Sequence, residues 1–202
     1  MRWFRDNGNR IDVAVLTTGV SGVDTGFAGA TSAGARAAVR ESEQRASCER
    51  FGLPAECLDF AHLEEDERGH PVIGAANRAV VAGFLSRTHA DIVFLPHGRD
   101  TNVAHQRVHQ LVAGIVRDDA LAVMLAMSED PKTTGIRRDL AMEFDEPAAA
   151  WKAGLLRLHA SQQARNLRAR GRGFDERILD VNRKAARAMN LASPYAETFE
   201  IA

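Results

Sequence analysis

Short apolar runs alternate with longer mixed segments along most of the chain. Ile11 to Thr17 (IDVAVLT), Glu56 to Phe60, Ile92 to Leu95 and Leu121 to Met127 (LAVMLAM) read as four strands, with a further one at Leu140 to Phe144. Runs of this length, apolar throughout rather than alternating, suit strands covered on both faces of a parallel sheet. The segments between them carry helical spacing. Ala33 to Phe51 is closed by Gly52 and Pro54, and Pro71 to Arg87 places Val72, Ala75, Ala76, Ala79, Val80 and Phe84 on one side. A third helix opens at about Val103, where His105, Val108, Leu111, Val112 and Ile115 recur every three or four residues, which puts His105 on the inward stripe. Strands alternating with helices of ten or more residues predict an α/β fold, a doubly wound and mostly parallel sheet with helices on both faces.

The two ends depart from this alternation. Met1 to Asn7 reads as the last turns of a helix stopped at Gly8, and a helix that feeds a parallel strand normally follows another strand. The pattern therefore expects a first strand that would lie before Met1. At the other end, Pro147 opens a helix through Trp151, Leu155, Leu156 and Leu158 to about Leu167. A second runs from Ile178 to Met189, and the tail LASPYAETFEIA is given no element.

Composition narrows the partners. With 202 residues, 45% of them hydrophobic, the chain has enough apolar material for a single domain, 1–202, with its own core. A net charge of -1 provides no attraction to nucleic acid or to an anionic membrane surface, and no apolar stretch reaches the length of a span. Arg165, Arg168, Arg170 and Arg172 are interrupted and read as a solvated face. Cys48 and Cys57 form neither a Cys-x-x-Cys pair nor a ligand cluster, which suits a reduced, cytoplasmic protein. A sheet lacking one strand would present an unpaired edge, and such edges promote association into a homo-oligomer.

The chemistry concentrates between Leu95 and Leu111, LPHGRDTNVAHQRVHQL: a strand end, a polar loop and a helix start, the place where open α/β sheets hold ligands. His97, His105, His109 and Asp100 are half of a metal or acid/base site. The same residues have structural readings: Asp100, Thr101 or Asn102 as helix cap, His97 and His109 as surface residues, and His105 as a core histidine. The loop TTGVSGVDTGFAGATSAG has five glycines but neither Gly-x-Gly-x-x-Gly nor Gly-Lys-Ser/Thr spacing. It reads as a flexible substrate loop rather than a phosphate cradle.

Several of these segments together resemble the PIG-L (LmbE-like) deacetylases: VAVLTTGVSGV, Arg40 and Glu43 in a helix ending at Phe51-Gly52, the loop HGRDTNVAH, Lys152 with Leu155, His159, Ser161 and Gln162, and the ending Tyr195-Ala196-Glu197-x-Phe199. The resemblance covers the chain from about Gly8. It implies a Rossmann-like sheet and a zinc-dependent hydrolase that removes the acetyl group from N-acetylglucosamine-type sugars or related amides. By the same resemblance His105 is a zinc ligand, Asn102 stands where the family has a histidine that assists the tetrahedral intermediate, and Arg40 matches an arginine that contacts substrate. Asp100 would orient a ligand, and His97 and His159 are candidate proton donors to the leaving amine. The family's His-Pro-Asp-Asp-Glu motif, with two further ligands and the general base, does not occur in the 202 residues, and its place falls before Met1. The resemblance therefore implies either a hydrolase completed upstream or a family member that binds a sugar, or regulates, without hydrolysing.

Overall fold

The computed structural model describes residues 1–202. In chain order its elements are α1 (Arg2–Asp6), β1 (Val13–Val15), α2 (Ala33–Phe51), β2 (Leu58–Phe60), α3 (Ala75–Thr88), β3 (Ile92–Pro96), α4 (Val103–Asp118), β4 (Met124–Ser128), β5 (Leu140–Phe144), α5 (Glu146–Arg157), α6 (Ala160–Arg170), α7 (Phe174–Ala188) and β6 (Tyr195–Ile201). The fold is mixed α/β, and the chain divides into two compact units. One comprises Met1–His62 with Ala153–Asp175, the other Leu63–Lys152 with Glu176–Ala202. No helix is long and apolar enough to cross a membrane.

In the first unit β1 and β2 pair in parallel, Val13 opposite Leu58 and Val15 opposite Phe60. Both strands are shorter than the apolar runs that contain them. Helix α2 has the expected ends: the Ser32 hydroxyl accepts from the Ala35 amide at 3.1 Å, and the helix stops at Gly52, whose φ of 84° a side chain would resist. The single helix expected from Pro147 to Leu167 is two helices, α5 and α6, because His159 leaves helical geometry at φ -79°, ψ 64°. One amide donor at the start of α6 finds its acceptor on another helix. Glu43 of α2 accepts the Ser161 N–H at 2.6 Å, a carboxylate at a helix N-terminus where the dipole favours it.

The second unit holds a four-stranded sheet in the order β3-β4-β6-β5. β3 and β4 are parallel, Ile92 opposite Met124 and Pro96 opposite Ser128. The tail forms β6, a strand the sequence reading missed, which runs antiparallel to both β4 and β5. Leu95, Leu111, Ile115, Leu125, Met127 and Phe199 are buried here, and the Phe94 and Phe199 rings meet edge to face at 5.2 Å.

Two helix faces differ from the predicted ones. Helix α3 begins at Ala75, and its inward residues are Asn77, Val81 and Leu85, while Val80 is exposed. Asn77 takes the inward place because its amide bonds the Glu64 amide, the Glu64 carbonyl and the Val72 carbonyl, each at 2.8 Å, and so holds the preceding loop. Helix α4 buries Leu111, Val112 and Ile115 as the spacing predicts, but His105 is not part of that buried stripe. Its side chain is 36% exposed and turns to the polar loop in front of the helix.

Candidate functional site

Parallel pairing of β3 and β4 starts two loops side by side, at Pro96 and at Ser128. Backbone bonds join them: the Thr101 amide donates to the Lys132 carbonyl at 3.1 Å, and the Thr134 amide to the Arg99 carbonyl at 3.0 Å. Asp100 sits at the join, 2% exposed. One of its oxygens, Oδ1, accepts the Asn102 amide at 2.6 Å, and the other, Oδ2, lies 2.6 Å from Nδ1 of His105 in the first turn of α4. The loop after β4 supplies Asp130. Its Oδ1 accepts the Lys132 amide at 2.6 Å, and its Oδ2 lies 3.8 Å from the same Nδ1 of His105.

Asp100, His105 and Asp130 thus each direct a ligand atom into one place, all within 4.8 Å of one another. Burial pushes the Asp130 carboxyl up from the ordinary aspartate range, and the negative charge of Asp100 acts in the same direction. A donor set of two carboxylates and one imidazole fits a divalent cation such as zinc, which takes nitrogen and oxygen ligands. The 2.6 Å contact is a hydrogen bond that fixes the His105 ring.

The other loop residues have definite partners. The Asn102 side chain caps α4, accepting the Ala104 amide at 3.1 Å. His97 is buried, and both its ring nitrogens are engaged. Nδ1 accepts the Arg99 amide at 2.9 Å, which leaves the proton on Nε2 to be donated to Glu200 of β6 at 3.1 Å. The Arg137 amide, with His97 and Arg99, holds the Glu200 carboxyl below its ordinary range. The His109 ring stacks on His97 at 6.4 Å and lies against Gly98, where a Cβ would stand 2.7 Å from His109 Cδ2. Burial pushes the His109 pKa down.

Arg40 and His159 lie in the first unit, beside each other. Arg40 Nη1 is 2.5 Å from Glu43 Oε2 and 3.4 Å from His159 Nδ1. Burial first, and the Arg40 charge second, push the His159 pKa down to about 4, so the ring is neutral at neutral pH. At the C-terminal ends of β1 and β2 is a cavity of about 110 Å³ whose walls include Thr17, Thr18, Arg40, Gln44, Phe60 and His62. Two functional candidates escaped the sequence reading. Asp130 follows an apolar run at the strand next to the site, a position that signals a ligand loop. Glu200 lies in a tail whose alternation, Tyr-Ala-Glu-Thr-Phe-Glu-Ile, marks a strand.

Comparison with known proteins follows the same lines. The family described as PIG-L, GlcNAc-PI de-N-acetylase, matches residues 1–116. No curated protein matches the chain in sequence. Among solved structures, the N,N'-diacetylchitobiose deacetylase from Pyrococcus horikoshii in complex with an inhibitor is similar, with a TM-score of 0.76 at 14% identity over 100% of this chain and 76% of that one. The zinc inhibited form of teicoplanin deacetylase Orf2 gives 0.67 at 11% identity, over 100% and 90%. The 4-carboxy-2-hydroxymuconate hydratase GalB from Pseudomonas putida KT2440 gives 0.67 at 15% identity, over 99% and 87%. These likenesses establish the fold, and the hydratase among them demonstrates that the fold carries more than one chemistry.

Proposed function

Because the chain belongs to the PIG-L family, with residues 1–116 matching it, we propose that it is a deacetylase-type hydrolase acting on the amide C–N bond of an N-acetylated amino sugar or a related small N-acyl amide. The observation that carries this reading is the convergence of Asp100, His105 and Asp130 at the ends of the parallel pair β3 and β4. Zinc held there would supply a Lewis acid for the acyl carbonyl and ease deprotonation of the attacking water. Asp100 keeps the His105 imidazole in one orientation through the 2.6 Å contact. Asn102 contributes by capping α4 and so fixing the backbone from which His105 projects. The bond between the buried His97 and the half-buried Glu200 holds the loop before Asp100 in place.

In the first unit, Arg40 is the proposed substrate contact. Glu43 restrains its guanidinium, which leaves a directional donor for a sugar hydroxyl or carbonyl. His159, neutral at neutral pH, is proposed as a hydrogen-bonding partner for the substrate rather than as a standing acid. The free thiols Cys48 and Cys57 suit a reducing, cytoplasmic setting.

A second reading, binding without hydrolysis, has one observation in its favour. Asn102 stands where the resembling family has a histidine, and its side chain is committed to the cap of α4. The test is the appearance of primary amine from N-acetylglucosamine and N,N'-diacetylchitobiose with zinc present. Hydrolysis predicts turnover that His105→Ala abolishes. Binding alone predicts saturable sugar binding by calorimetry and no amine.

A further inference from the structure

Helix α3 is apolar on two opposite sides and covered on one. It buries Asn77, Val81 and Leu85, while Ala76, Ala79, Val80 and Gly83 face solvent, Val80 with 43% of its surface exposed. Ile73, just before the helix, is 44% exposed. From Ala79 to Ser86 no residue carries a charge. A helix with one covered side normally turns charged residues to water, as α2 does with Arg45 and Glu49. Gly83 is a separate sign. Glycine inside a helix is less stable than alanine, and a Cβ at this position would meet nothing within 4 Å. Nothing inside the chain requires that glycine, whereas a second helix crossing closely over it would.

We propose that this face of α3 packs, antiparallel, on the same face of a second copy of the chain, about a two-fold axis between Ala79 and Val80. A two-fold contact needs a surface complementary to itself, and the residue order provides one. About that axis Ala79 faces the partner's Val80 and Ala76 faces the partner's Gly83, so small residues receive large ones or let the axes approach. Arg87, which is exposed, comes opposite the partner's Val72. The Val72 amide donates to the Glu64 carbonyl at 2.9 Å, so Glu64, exposed and with no ion-pair partner in its own chain, stands at that end. Each Arg87 thus meets an acidic residue of the other copy, once at each end of the pair. A parallel pairing would bring the two arginines together instead, so charge selects the antiparallel one. One helix face is a small interface, and the dimer is expected to dissociate on dilution. The contact is independent of the hydrolase reading and of any unpaired sheet edge.

The test is sedimentation velocity of the full chain from low to high micromolar concentration. The unaltered protein is expected to pass from monomer to dimer. Gly83→Leu enters open space in the monomer and favours the helix, so its circular dichroism and its thermal unfolding at the lowest concentration should be no worse than those of the unaltered chain. Its dimer should be weakened about 10-fold or more, as in Val80→Glu. Arg87→Glu and Glu64→Arg should each weaken the dimer, and the two together should restore it. A monomer at every concentration overturns the proposal. A dimer whose affinity is unchanged in both Gly83→Leu and Val80→Glu does so too, since the contact would then lie elsewhere on the molecule. Charge variants that weaken the dimer with no recovery in the combined change would overturn the antiparallel pairing.

Discussion

Glu43 accepts two hydrogen bonds from Ser161, at 2.6 Å from the amide and 2.8 Å from the hydroxyl, and so joins the middle of α2 to the start of α6 across 118 residues of sequence. Both residues are buried. The carboxylate does three things at once: it caps α6, it satisfies the Ser161 hydroxyl, and it balances Arg40 at 2.5 Å.

Removing it should therefore be costly. Glu43→Ala leaves a buried hydroxyl, a helix amide and a guanidinium without their acceptor, and is expected to lose roughly 3 to 5 kcal/mol of stability. Urea unfolding of Glu43→Ala against Ser161→Ala measures it. The serine variant should cost only about 1 kcal/mol, since one hydrogen bond is lost and the cap remains. Equal losses would contradict the assignment of the carboxylate as the central group.

His159 gives the protein a pH dependence whose sign follows from its pKa, pushed down to about 4 by burial and then by Arg40. An unfolded histidine titrates near 6.5. Between these values the unfolded chain binds the proton and the folded one does not, so folding stability falls as pH drops from about 6.5 to about 4. The loss attributable to this group is on the order of 2 to 3 kcal/mol by pH 4. His159→Gln should remove that part of the slope. A variant whose stability against pH runs parallel to the unaltered protein would show that His159 titrates normally.

Gly98 is required by the ring beside it. A methyl group there would stand 2.7 Å from Cδ2 and 2.9 Å from Nε2 of His109. Gly98→Ala is expected to destabilise by about 1 to 3 kcal/mol through overpacking. Combined with His109→Ala, which removes the obstacle, it should cost clearly less than the sum of the two single changes. Additive losses would place the strain elsewhere.

Asp100→Asn keeps the shape of the side chain but replaces the carboxylate that His105 faces at 2.6 Å. Its Oδ1 can still accept the Asn102 amide, so thermal stability should change little, while turnover of an N-acetyl sugar should fall about 10- to 100-fold. Loss of folding instead of turnover would make Asp100 a loop residue only.

Local signals made much of this legible in advance. Ser32 and Gly52 mark both ends of α2, and the run Leu140–Phe144 is β5 residue for residue. The polar loop after β3 is readable because strand, loop and helix start follow one another in sequence, and the expected Asp100 and His105 do meet there. What was hidden depends on distant pairing. Asp130 joins His105 only because β4 lies beside β3, and Glu200 joins His97 only because the tail inserts between β4 and β5. The break between α5 and α6 was hidden for the same reason, since helical spacing runs through it and the capping carboxylate comes from α2. Helical spacing also misplaced His105 and Val80, because periodicity does not say which turn of a helix reaches past the sheet or which polar residue a loop will draw inward.

The most direct test of the central claim is to incubate the zinc-loaded protein with N-acetylglucosamine in water enriched in oxygen-18 and to read the acetate by mass spectrometry. Hydrolysis of the amide predicts free glucosamine and an equal amount of acetate carrying one heavy oxygen, with neither formed by His105→Ala. Intact sugar after complete metal loading, across N-acetylated mono- and disaccharides and small amides, would contradict a hydrolytic function for this chain.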